Sequence, residues 1–157
     1  MTVNHSSSGA VTADSFIAIM NEKFKSGAGI FLTVTGNSMQ PFLSDKCDKV
    51  YLTEITEKPN TGDIIFYRRT DGSCVLHRIV KCSKDGFYFA GDAQNFIEGP
   101  LNGDLFLAEC KSALRRGKFI NEKNFIWFFF KHIWRRIIPV RRFIMSLYSK
   151  ICVKKSR

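Results

Sequence analysis

Ile30-Phe31-Leu32-Thr33-Val34 runs directly into Thr35-Gly36-Asn37-Ser38-Met39-Gln40-Pro41-Phe42-Leu43. The first five residues are apolar and rich in β-branched side chains, the pattern of a buried strand. Gly36 supplies backbone freedom, Ser38 a hydroxyl, and Pro41 an end to ladder pairing. The stretch reads in two ways. It is a strand closed by a Ser-Pro turn, or a strand whose rigid end projects a serine oxygen as a nucleophile requires. Partners elsewhere in the chain decide between them.

Downstream, short apolar segments recur with turn signals between them. Cys47 to Thr53 alternates apolar and polar residues, and Gly62-Asp63 turns into Ile64-Ile65-Phe66-Tyr67. Thr70-Asp71-Gly72-Ser73 reads as a hairpin turn with Asp-Gly at its centre. It leads into Cys74-Val75-Leu76-His77-Arg78-Ile79-Val80, and Lys84-Asp85-Gly86 leads on to Phe87-Tyr88-Phe89-Ala90. After the loop Gly91-Asp92-Ala93-Gln94-Asn95, a last strand falls near Leu105 to Cys110. This spacing predicts a mainly antiparallel β domain. Upstream, Thr12-Ala13-Asp14 caps a helix through Lys25, with Phe16, Ile17, Met20 and Phe24 on one face. Residues 1–11 read as disordered, with neither the basic start nor the apolar centre of a signal peptide.

The 157 residues suit one domain, and 45% hydrophobic and 13% aromatic residues exclude a disordered chain. Lys and Arg number 24 against 14 Asp and Glu, but residues 118–157 hold eleven of the former and only Glu122 of the latter. The first 117 residues are therefore formally neutral, which argues against a nucleic-acid-binding core and for electrostatic attachment at one end. Five cysteines without a C-x-x-C pair, beside three histidines, give no zinc-ligand spacing and suit a reducing compartment.

From Phe125 the pattern becomes helical, with Ile133-Trp134, Ile137-Ile138 and Phe143-Ile144-Met145 separated by basic pairs. Apolar residues gather on one face and arginines on the other, and Pro139 divides the helix. Its longest apolar run is six residues, too short to span a bilayer. The expectation is an amphipathic tail on an anionic membrane surface, touching it through Trp127, Trp134, Arg135, Arg136, Arg141 and Arg142. Packing on its own domain or on a partner protein is the alternative.

A serine hydroxyl becomes nucleophilic only when a neighbouring base takes its proton. His5 lies in the polar start and His132 in the tail, so His77 alone occupies the β domain. It sits among Val75, Leu76, Ile79 and Val80, where a lone strand histidine is commonly structural. No lysine has an equivalent apolar setting. An acid must also orient the imidazole. Asp92, in a tight loop directly after a strand, is the first choice, with the alternative role of an Asx-turn former. Glu98 is six residues further on.

Ser38-Met39-Gln40-Pro41-Phe42-Leu43, Gly62-Asp63-Ile64-Ile65-Phe66, Leu76-His77-Arg78-Ile79-Val80 and Gly91-Asp92 occur in that order over roughly residues 27–117. In this the chain resembles the type I signal peptidase superfamily, which includes the LexA-type self-cleaving repressors. The His-Arg pair resembles its endoplasmic-reticulum subclass, which uses Ser, His and Asp. The resemblance implies a coiled, barrel-like antiparallel sheet with a short N-terminal helix. It implies Ser38 as nucleophile, His77 as base and Asp92 as acid, with Glu98, in the place of a second family acid, in reserve. The Ser38 backbone N–H would bind the oxyanion. Some relatives add a serine hydroxyl two positions earlier, where this chain has Gly36, so Asn37 is the substitute.

The expected organisation is a start plus short helix (1–26), a catalytic domain (27–117) and a basic amphipathic tail (118–157). The expected activity is cleavage of a precursor or leader peptide without a cofactor or metal. Basic flanks place it peripherally on the cytoplasmic membrane face. A LexA-type self-cleaving regulator and an inactive peptide-binding relative are the alternatives. The first is disfavoured by the neutral core and the lack of a preceding helix-turn-helix domain, the second by the intact Ser38 and His77.

Overall fold

The computed structural model describes residues 12–141 and 143–146. Eight antiparallel strands make one sheet: β1 (Ile30–Thr33), β2 (Lys49–Thr53), β3 (Ile64–Arg68), β4 (Cys74–Ser83), β5 (Gly86–Ala90), β6 (Glu98–Leu101), β7 (Phe106–Arg115) and β8 (Lys118–Asn121). Their order is β1-β2-β7-β3-β4-β5-β6, with β8 on the last residues of β7. Helix α1 (Ala13–Lys25) precedes the sheet, while α2 (Phe125–His132) and a 3-10 turn at Trp134–Ile137 follow it. As the sequence predicts, the Thr12 hydroxyl caps α1 by accepting from the Ser15 N–H. The expected reading of residues 1–11 lies outside the described residues.

The barrel-like expectation is corrected, because the sheet is open with β1 and β6 as its ends. Pro100 in β6 has no N–H to donate, which confines that strand to an edge. At the other end β1 is only four residues long.

Side chains alternate across a strand, and β3 and the first six residues of β4, 74–79, are buried on both sides. Ile64, Phe66 and Leu76 join Met20 and Phe24 of α1 in the larger core. Ile65, Tyr67, Val75, Ile79 and Phe89 form a second core on the opposite face. His77 shares the parity of Val75 and Ile79, whereas Arg78 takes the parity of Leu76. The site is built on this division.

Residues 118–137 do not hang from the domain as expected. Lys118–Asn121 is a strand of the sheet, and α2 buries Trp127 and Phe130 in the larger core. Both rings pack on Phe42, with centroids 5.4 and 4.9 Å away. Trp134 is buried against Phe130. Trp127 and Trp134 are therefore core residues, and Arg141 is fully buried on backbone carbonyls, so none of the three is exposed to meet a membrane as expected. Arg135 is half-buried and donates to the Lys131 carbonyl, and Arg136 is exposed. Arg142 lies outside the described residues. A helical stretch begins at residue 138, so Pro139 falls in its first turn, where a missing N–H is tolerated. Among the described residues no helix is long and apolar enough to cross a membrane.

Candidate active site

Ser38 opens the turn that follows β1, and local sequence aims it outward. Met39, Phe42 and Leu43 are buried in the larger core, leaving Ser38 half-exposed on the other side of the turn. Gly36 has φ 83°, a conformation that suits glycine, and its N–H donates to Asp45 Oδ1 at 2.7 Å. From β7, Arg115 donates to the carbonyls of Pro41 and Phe42. The Ser38 carbonyl accepts the Ala93 N–H at 2.8 Å. Gly91 stands so close to that carbonyl that a Cβ would collide with it.

His77 reaches the same point from β4. Its Nε2 lies 3.3 Å from Ser38 Oγ, although the two residues are 39 positions apart in sequence. The imidazole is buried. Burial, helped by the Arg69 charge and opposed by Glu98, pushes its pKa down to about 3. The ring is consequently neutral at physiological pH, with a lone pair available to a hydroxyl proton.

Behind the imidazole stands a chain of polar groups. Tyr67 Oη lies 3.3 Å from His77 Nδ1 and donates to Glu98 Oε2 at 2.9 Å. Glu98 Oε2 itself is 3.8 Å from Nδ1. Arg69 grips both carboxylate oxygens, Nε to Oε1 at 2.6 Å and Nη2 to Oε2 at 2.5 Å. Burial raises the Glu98 carboxyl, but the hydrogen bonds from Arg69 and Tyr67 outweigh it and hold the group below the usual carboxylate range. The acid facing the imidazole is ionised.

Asp92 is placed elsewhere. It is fully buried, and Arg78 binds it in a fork, Nε to Oδ1 at 3.0 Å and Nη2 to Oδ2 at 2.8 Å. Arg78 also donates to the Gly62 carbonyl and lies over the Phe42 ring, 5.0 Å from its centroid. The expected role of Asp92 is thus corrected, since its carboxylate belongs to the Arg78 face of β4 and the acid beside His77 is the reserve candidate, Glu98. Asp92 instead fixes the loop that holds Ser38. That loop is braced from the C-terminal side as well. Trp134 Nε1 donates to the Asp92 carbonyl at 2.8 Å. Arg141, fully buried, donates from Nη1 to the Gly91 carbonyl at 2.9 Å and from Nη2 to that of Trp134 at 3.0 Å.

Asn37 is exposed, and its side-chain oxygen accepts from Gln40 Nε2 at 2.9 Å. Cys47, Cys74, Cys82 and Cys110 are free thiols. No group of side chains suited to holding a metal occurs among the described residues. Tyr67 and Arg69 are the site's additions to the sequence reading, while Trp134 and Arg141, expected at a membrane, brace the Gly91-Asp92 loop instead. The strand parity of Tyr67 and His77 was the signal available for the first, provided the hairpin register is known. No protein-family model, curated protein or solved structure matches the chain.

Proposed function

We propose that the chain is a serine endopeptidase, similar in mechanism to the Ser-His-acid signal peptidases, that cleaves a precursor or leader peptide at a membrane surface. The observation that carries this reading is the 3.3 Å approach of His77 Nε2 to Ser38 Oγ, with an ionised acid behind the imidazole. His77 accepts the Ser38 proton while Oγ attacks the peptide carbonyl, and the same proton then passes to the leaving amine. The Ser38 backbone N–H, with Asn37 beside it, stabilises the oxyanion. Water repeats the attack on the acyl-enzyme. Atoms balance without a cofactor.

Attachment to an anionic bilayer on its cytoplasmic face is the second part of the proposal. It rests on exposed Phe125, Phe128, Val140, Phe143 and Ile144, beside the basic excess of residues 118–157. Each basic group near such a surface adds about 1 kcal/mol of attraction at low salt.

The test is cleavage of an extended peptide with small residues in the A-x-A manner, wild type beside Ser38→Ala. Loss of a nucleophile from a linked triad costs about 10⁶-fold in kcat, so cleavage should vanish. Equal cleavage by both proteins would sink the peptidase reading. Sedimentation with anionic vesicles at low and high salt tests attachment. Failure of the wild type to bind at low salt would remove it.

A further inference from the structure

Tyr67 occupies a position that a two-member contact between histidine and acid would not require. It is the fourth residue of β3, pairs with Val75 of β4, and is fully buried. Its ring packs against Phe89 with centroids 4.6 Å apart and lies edge-on to His77 at 6.2 Å. The hydroxyl is therefore fixed in place by packing. It stands between two groups that do not bond directly, because 3.8 Å from Nδ1 to Glu98 Oε2 exceeds hydrogen-bond length.

We propose that Tyr67 is a positioning residue that holds His77 with its proton on Nδ1 and links the imidazole to the Glu98 carboxylate through one hydroxyl. This rests on the Ser38–His77 reading above. The direction of every bond in the chain follows from the far end. Glu98 is an ionised carboxylate and accepts only, so Tyr67 gives its single O–H proton to Oε2. The Tyr67 oxygen is then left to accept, which the Nδ1–H of His77 satisfies. With Nδ1 protonated, the neutral ring carries its lone pair on Nε2, the atom that faces Ser38. Reversing the tautomer would oppose a lone pair to the Tyr67 oxygen and place a proton where the Ser38 proton must arrive.

Tyr67 does not pass a proton on. Burial and the neighbouring Glu98 raise its pKa beyond the ordinary tyrosine range, so the hydroxyl stays neutral. Its part is orientation, and stabilisation of the imidazolium that forms when Ser38 attacks. Arg69 completes the arrangement by fixing Glu98 through both oxygens. Tyr67 Oη is at hydrogen-bond distance from Nδ1 while Glu98 Oε2 is not, so removing the hydroxyl leaves Nδ1 without its bonded partner.

The experiment is Tyr67→Phe in the full chain, which keeps the ring and removes one oxygen. Long-range ¹⁵N–¹H correlation spectra of histidine-labelled protein report the His77 tautomer without any turnover. Wild type should show the Nδ1–H form, and Tyr67→Phe should shift it toward Nε2–H. With the A-x-A peptide, kcat should fall by at least about 10-fold and by as much as about 10⁴-fold, the cost of a wrong histidine tautomer in a serine triad, while KM changes little. An unchanged tautomer together with kcat within twofold of wild type would overturn the proposal, since Glu98 would then have closed the gap itself. Wild type inactive on every peptide sinks the peptidase reading, yet the tautomer comparison still decides the role of Tyr67. If Tyr67→Phe folds poorly, 3,5-difluorotyrosine at position 67 keeps the ring and strengthens the donor. It should move the Nδ1–H resonance, and a stationary resonance would overturn the proposal.

Discussion

Asp92 and Glu98 stand six residues apart, at the two ends of the loop that joins β5 to β6, and each is forked by an arginine. The Arg78–Asp92 pair is fully buried, and the third guanidinium nitrogen, Nη1, donates to the Gly62 carbonyl. The Arg69–Glu98 pair is partly exposed and keeps one oxygen in contact with Tyr67, and through it with His77. Equal chemistry thus serves two ends. The first pair holds the loop behind Ser38, and the second tunes the imidazole in front of it. A carboxylate next to a motif is not thereby the catalytic acid, because the face of the strand it meets decides what it can touch.

The comparison breaks most visibly at Asp92→Ala, which leaves the Arg78 charge buried without its acid. Uncompensated buried charges of this kind cost about 3–5 kcal/mol, and urea unfolding should show a loss of that size. A loss below ~1 kcal/mol, with peptide cleavage abolished instead, would return Asp92 to the catalytic role. Glu98→Gln should do the opposite. Its stability should stay near wild type while kcat falls by as much as about 10⁴-fold, as when a triad acid is replaced by its amide. Cleavage by Glu98→Gln at the wild-type rate would remove the acid from the site.

How far all this was legible depends on register. Six strands and the capped α1 follow from alternation and turn residues, and Ser38 and His77 from the scarcity of histidine together with the family resemblance; β6, which carries Gly99-Pro100, and β8, in the basic segment, give no such alternation. The position of Tyr67 does not. An Asp-Gly hairpin read as a two-residue turn pairs Tyr67 with Leu76 and puts it on the face opposite His77. The chain instead closes with Arg69 N–H on the Ser73 carbonyl, and Tyr67 pairs with Val75. One residue of slip separates the two arrangements. The C-terminal segment escaped for another reason. Trp, Phe and Arg on a short helix suit a lipid interface and a core lid equally, and only the open core around Phe42 selects the lid. Nothing in periodicity announced that Arg141 would be buried on the Gly91 and Trp134 carbonyls.

A smaller effect separates the two faces by pH. His77 titrates near 3 in the folded chain and near 6.5 unfolded. Between those values the unfolded chain binds a proton that the folded chain does not, so stability falls as pH drops through this window. The slope approaches about 1.4 kcal/mol per pH unit for one such group. Urea unfolding of wild type and His77→Gln from pH 7 to pH 4 should converge by that slope. Parallel curves would mean that His77 is not held neutral.

Smallest of all should be the effect of Trp134→Phe, which keeps an aromatic lid but withdraws a donor from the Asp92 carbonyl. A buried acceptor left without its partner costs about 1–3 kcal/mol in total. Loosening of the loop should reach Ser38 as faster amide exchange at Ala93, whose N–H binds the Ser38 carbonyl. Unchanged exchange at Ala93 would uncouple the C-terminal segment from the nucleophile.

The central claim is that Ser38 attacks a carbonyl with His77 as its base. Acid-quenched mixtures of the full chain with an A-x-A peptide ester, mapped by tandem mass spectrometry, address it directly. Wild type should carry the acyl group on Ser38, and both His77→Ala and Ser38→Ala should carry none. Turnover of the ester without an adduct on Ser38, or an adduct that forms equally fast in His77→Ala, would contradict the account.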